Sequence, residues 1–346
     1  MRRSTLLALT SALALIATAA AAQGYKAPRN SYGQPDLSGV WTNATITRLE
    51  RDPRLGERLT LTDEEVARAE GATAQRNERL AQPTAAATKV DDLPECGSGA
   101  TGPACGYNAF WIDPGTKVMR LGGQGRTSII VDPKDGRLPM TKEALARIQA
   151  RQGNARVGNF DGPERRPLGE RCLVGFGSTS GPPMLPVLYN NHYQIAQSKD
   201  EVAIVIEMVH DTRIIRLNGR RQPAHIRPWM GDSIGRWEGD TLVVETANFR
   251  PDQAFRGATE NLQVTERFTR VGPNQILYQF ELDDPATFTQ KVKGEIALNA
   301  AKGPVYEYAC HEGNYALAGI LAGAREEEKQ GREQAGNRGA VREEGE

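Results

Sequence analysis

The chain has no excess of charge: 43 Lys and Arg stand against 43 Asp and Glu over 346 residues. A protein built to grip nucleic acid needs a basic surface to displace phosphate counterions, so no nucleic-acid partner is expected. Aromatic residues make up only 6%, too few to spare for base-stacking platforms. Cysteine and histidine number four each. There is no CxxC pair, no two histidines lie at i, i+2 or i, i+4, and HEGNY (311–315) lacks the second His of HExxH. Neither a zinc ribbon nor a helical zinc protease site can be written, and no metal or cofactor is expected. The glycine-rich stretches lack the residues that would make them functional. GGQGRTS (122–128) has no phosphate-binding Lys, and GSTSG (177–181) places Thr179 where a nucleophile elbow needs Ser. After residue 22 no run approaches the ~20 apolar residues of a membrane helix, so no membrane span is expected.

The first 22 residues read as a cleavable secretory signal. Arg2 and Arg3 supply the positive start, Leu6 to Ile16 the apolar stretch, and Ala20-Ala21-Ala22 the small residues before Gln23. The expected location is the periplasm or the medium. Export permits disulfides. Cys96 and Cys105 flank a Gly/Pro-rich loop that a disulfide could staple, leaving Cys172 and Cys310 as a second pair. Three pairings exist, and the alternative for Cys172 and Cys310 is a pair of buried thiols.

With 36 Gly and 20 Pro, turns are plentiful. Thr62-Asp-Glu-Glu65 is a capping box opening a polar helix over 63–82, and Thr141 caps a second helix over 142–152. From 185 onward strand-like segments follow at short spacing: 185–198, 201–210, 213–217, 241–249, 261–270, 275–282, 289–298 and 304–311. Tight turns between them predict an antiparallel up-and-down meander, because parallel strands need crossovers. So many strands tend to curl and close. The expected fold is mainly β, a closed up-and-down barrel with two or three accessory helices. One barrel domain spans 23–324, with helical and loop insertions at 60–186. A short helix follows Asn314, and residues 325–346 form a charged, disordered tail.

Strand alternation sorts the polar candidates. His210 and Asp211 near Arg213 form the leading catalytic group: a strand-end His for proton transfer and an Arg for a developing oxyanion. His311, beside the last helix, is a second base, and Glu207 a carboxylate to orient either one. Tyr193 and Asn191, in the cluster 189–193, can orient a polar ligand, although a purely structural role is the stronger reading of that cluster. Arg267, Glu281 and Glu307 are read as lining the barrel, with Trp229 in a lid-like loop at 225–233. A closed barrel lined by such groups would hold a ligand cavity.

PDLSGVW (35–41), RTSIIVDPKDGRLP (126–139), ERCL (170–173), GPPMLP (181–186), EMVHDTRII (207–215), GRWEGDTLVVETANF (235–249) and YEYACHEGNY (306–315) resemble a large family of exported bacterial proteins. Gly39-Val40-Trp41 before a meander also resembles lipocalin-like barrels. The resemblance implies an activity like that of the γ-formaldehyde lyases of lignin-derived phenylcoumaran dimers. That is cofactor-independent carbon–carbon cleavage of a small aromatic compound, releasing formaldehyde. The alternative is a periplasmic carrier of a small apolar ligand. A homodimer is compatible with either.

Overall fold

The computed structural model describes residues 25–81, 113–154, 160–175, 181–250 and 255–343. The leader, Cys96 and Cys105 lie outside them.

The chain opens with β1 (Gly39–Thr42), then α1 (Asp63–Leu80), the small hairpin β2 (Arg120–Leu121) and β3 (Gln124–Gly125), β4 (Ile130–Asp132) and α2 (Lys142–Asn154). Then follow β5 (His192–Gln197), β6 (Glu201–Ile206), β7 (Thr212–Leu217), β8 (Asp232–Glu238), β9 (Thr241–Ala247), β10 (Gln263–Gly272), β11 (Gln275–Asp283) and β12 (Val292–Ala300). α3 (Tyr315–Glu343) ends the described chain, so the helix after Asn314 continues through most of the expected tail. α1 begins where its capping box dictates: Thr62 Oγ1 accepts the Glu65 N–H, and the Glu65 carboxylate accepts the Thr62 N–H.

β1 and β5 to β12 pair in order, and β1 also pairs with β12, closing a nine-stranded barrel; β4 adds outside on β12. The expected barrel with accessory helices is therefore what forms, with one departure from the meander. Directions cannot alternate all the way round a ring of nine strands, so one neighbouring pair must be parallel. That pair is β7 and β8. Residues 218–231 make the crossover a parallel pair requires, and Gly235 on β8 leaves room for Ile215 of β7, whose Cγ2 would lie 2.7 Å from an added Cβ. Asp232 and Ser233, expected in the loop, thus open a strand. Conversely 304–311, expected as a strand, joins no sheet.

The barrel interior is filled. Val202, Ile204, Ile206, Ile215, Val264, Phe268, Ile276, Tyr278, Phe280 and Leu282 point inward and are buried. Met184, wholly buried, plugs the interior from the rim where β5 begins: its N–H donates to Tyr278 Oη and its carbonyl accepts from Asn43 Nδ2. Trp41, opposite Tyr193 in the register, is buried too, with Arg270 5.5 Å over its ring. Burial of this apolar surface supplies the main stabilisation.

Candidate functional site

The turn at Ser198–Asp200 sets the site. It places Gln197 opposite Val202, and the antiparallel register runs on to Tyr193 opposite Ile206. One step further, His192 and Glu207 face each other at the rim, where the Glu207 N–H donates to the His192 carbonyl at 3.0 Å. Their side chains meet as well: His192 Nδ1 lies 2.9 Å from Glu207 Oε2. Glu207 Oε1 accepts the Tyr306 N–H at 3.1 Å. The extended segment 304–309 therefore covers the carboxylate and leaves Glu207 only 3% exposed.

Burial alone would raise the Glu207 pKa. The hydrogen bonds from His192 and the Tyr306 N–H outweigh it, and the carboxyl sits below its ordinary value. The Glu207 bond raises His192 above the ordinary histidine value against partial burial, and the charge of Asp113 adds to the effect. The carboxylate is sealed and the imidazole keeps a quarter of its side chain exposed. This is the arrangement of an oriented proton-transfer base.

Walled by residues beside the pair in sequence, though not by His192 or Glu207 themselves, lies a cleft of about 520 Å³. Tyr189 and Asn190, just before His192, form part of its wall, and Glu307 and Tyr308, just after Tyr306, form another. Leu317 and Ile320 of α3 add an apolar side. Cys310 also lines the cleft and is disulfide-bonded to Cys172, so one of the pairings left open by the sequence is settled.

A second ion pair spans the interior. Arg213 on β7 reaches Glu266 on β10 with two hydrogen bonds, 3.0 and 2.5 Å, and the Tyr278 hydroxyl donates to the same carboxylate at 2.8 Å. Burial opposes the Arg213 charge, but Glu266 more than offsets this and raises its pKa. Tyr193, also sealed inside, accepts a hydrogen bond from Asn43; burial raises its phenol pKa.

The expected His210–Asp211–Arg213 group is thus divided. β6 stops at Ile206, and a tight turn follows in which Val209 and His210 are left-handed, φ 59° and 48°, so period-two alternation does not carry from 206 to 213. His210 is exposed, the Asp211 carboxylate accepts the Gly175 N–H, and Arg213 turns into the barrel. His311 is exposed in the turn before α3. Asn191 clamps its own loop: its amide bonds Val187 through both N–H and carbonyl and also donates to the Asp113 carbonyl. Arg267 and Glu281 are on the outer face rather than lining the barrel, paired with Glu238 and with Lys291 and Lys293. The apolar partners on those strands take the inside. Trp229 lies in the crossover under Arg250 and outside the cleft wall. Of the expected residues, Glu207 and Glu307 therefore come to one rim, and the base beside them is His192. Among the described residues no cluster of His, Cys, Asp and Glu could hold a metal ion, and no helix is long and apolar enough to cross a membrane.

Comparison with protein-family models, curated proteins and solved structures finds no match.

Proposed function

We propose that the chain is an exported, cofactor-independent acid–base enzyme that binds a small aromatic molecule in the rim cleft, with His192 as the base and Glu207 orienting it. The observation that carries this reading is the 2.9 Å contact between a partly open imidazole and a sealed carboxylate, with Tyr189 and Asn190, just before His192 in sequence, walling the cleft. The filled interior supports the same choice over a barrel carrier, because Met184 and the Arg213–Glu266 pair occupy the space an apolar ligand would use. The Cys172–Cys310 disulfide fits an oxidising compartment.

The substrate class rests on the sequence resemblance. In a phenylcoumaran dimer a base removes the proton of the side-chain hydroxyl, and the carbon–carbon bond breaks as formaldehyde leaves. The electron pair forms the new double bond and expels the ring-ether oxygen as a phenolate. Tyr189, Asn190 and Tyr308 give the cleft aromatic and amide walls suited to such a molecule. The test is formaldehyde release from phenylcoumaran dimers by the wild type and by His192→Gln, Glu207→Gln, His210→Ala and His311→Ala. Turnover lost in the first two and kept in the last two is the expected result. Full turnover in His192→Gln overturns the assignment, and binding without product in the wild type favours the carrier.

A further inference from the structure

Among the described residues the segment between β12 and α3 has no strand partner, yet it covers the buried Glu207 carboxylate. Tyr306, Glu307, Ala309, His311, Glu312 and Gly313 are all exposed, so little apolar burial holds the segment down. Its ties are specific. The Tyr306 N–H is on Glu207, Tyr308 packs against the barrel core, Asn314 Nδ2 donates to the Glu170 carbonyl at 2.8 Å, and Cys310 is bonded to Cys172. Cys172 is buried, whereas Cys310 is partly exposed and lines the cleft.

We propose that the Cys172–Cys310 disulfide is a redox latch: oxidised, it holds residues 304–314 over the His192–Glu207 pair and shapes the cleft; reduced, it frees the segment and switches the site off. The reductant is a dithiol. One thiolate attacks Cys310 Sγ from the cleft and the Cys172 thiolate leaves. The second thiol of the reductant then resolves the mixed disulfide, so two protein thiols form as the dithiol closes to its own disulfide. Freeing the segment removes the Tyr306 N–H from Glu207 and admits water to the carboxylate, which weakens its hold on the imidazole. The charged groups facing His192 are Glu207 from the end of β6 and Asp113 from the segment before β2, and only the first is uncovered.

The latch builds on the proposed role of His192, so its test has a readout other than activity. In a Cys96→Ser/Cys105→Ser background, dithiothreitol acts on Cys172–Cys310 alone. The His192 ring resonance, assigned with His192→Gln, is titrated by NMR in the oxidised and reduced protein. The expected result is a midpoint falling towards the ordinary histidine value on reduction. Turnover should fall at least about tenfold and return on reoxidation. Hydrogen exchange should quicken at 304–314 while β10 and β11 stay protected. An unmoved midpoint overturns the latch, as does loss of protection throughout the barrel. A moved midpoint in a protein with no turnover in either state keeps the latch and defeats the catalytic reading. Turnover that needs His192 but ignores dithiothreitol does the reverse. Cys172→Ala/Cys310→Ala should reproduce the reduced state without reductant.

Discussion

The molecule holds two carboxylate–cation pairs of similar length in opposite settings. Arg213–Glu266 crosses the barrel with side chains 1% and 0% exposed. His192–Glu207 sits on the rim with side chains 25% and 2% exposed. In the first, neither charge meets solvent and every close neighbour is fixed, so it can only hold the fold in register. In the second the carboxylate is fixed and the imidazole is reachable, so a proton can leave and return. Burial of both partners makes a structural pair, and burial of one makes a candidate catalyst.

Breaking the interior pair should give the largest effect. Glu266→Gln leaves the Arg213 charge buried without its counter-ion, and we expect a loss of about 3–5 kcal/mol in urea unfolding. Arg213→Met combined with Glu266→Leu should cost less than either single change, because the stranded charge is gone. Costs that simply add would show that the two groups are not coupled, and the comparison would lose its structural member.

The rim pair should behave in the opposite way. His192→Gln should lower turnover at least about 100-fold while shifting stability by no more than about 1 kcal/mol. A variant that instead unfolds the protein and spares turnover in the folded fraction would exchange the roles of the two pairs.

Much of this contrast was legible. The β10 and β11 sequences carry Val264, Phe268, Ile276, Phe280 and Leu282 on one parity, and that apolar parity marks the inside. Reading Arg267 and Glu281 as lining looked for a polar cavity and so chose the wrong face; Glu266 was the inward carboxylate. The His192–Glu207 pair was also within reach, since the tight turn at 198–200 fixes every partner on β5 and β6. It was missed because 201–213 reads as continuous alternation, which puts Glu207 on one face with Asp211 and Arg213. The turn after β6 begins its left-handed backbone at Val209, a β-branched residue that does not announce such a turn. The strand 232–238 lacks an alternating apolar pattern. The 304–311 segment has alternation, but β1 closes the ring on the end of β12 and β4 takes the edge β12 has left. Both depend on the whole barrel rather than on local sequence.

The pH response separates the pairs next. His192 has a raised pKa in the folded protein, so its contribution is complete below about 6.5, its ordinary value, and fades as pH rises through the folded value. Glu207 has a lowered one, so its contribution is complete above about 4.5 and is lost as pH falls through the folded value. The stability difference between wild type and His192→Gln should therefore peak between these limits and shrink on either side. Turnover has the opposite preference, since a base must be unprotonated: it should rise with pH through a midpoint above 6.5. A stability difference that is flat from pH 4 to pH 8 would remove the charge coupling on which the rim pair is distinguished.

The smallest effect is expected on the outer wall, where a pair is exposed on both sides. Arg267 meets Glu238 with side chains 43% and 42% exposed, and Arg236 meets the same carboxylate. Removing Arg267 leaves Glu238 with a counter-ion and with water, so neither charge is stranded. Arg267→Ala should change stability by no more than about 0.5 kcal/mol and leave turnover unaltered. Its strand position is the same as that of Gln263 and Thr265, so the result applies to the whole polar parity of β10. A marked loss of turnover here would mean that substrate is gripped on the barrel's outside, and exposure of one partner would no longer separate the catalytic pair from the rest.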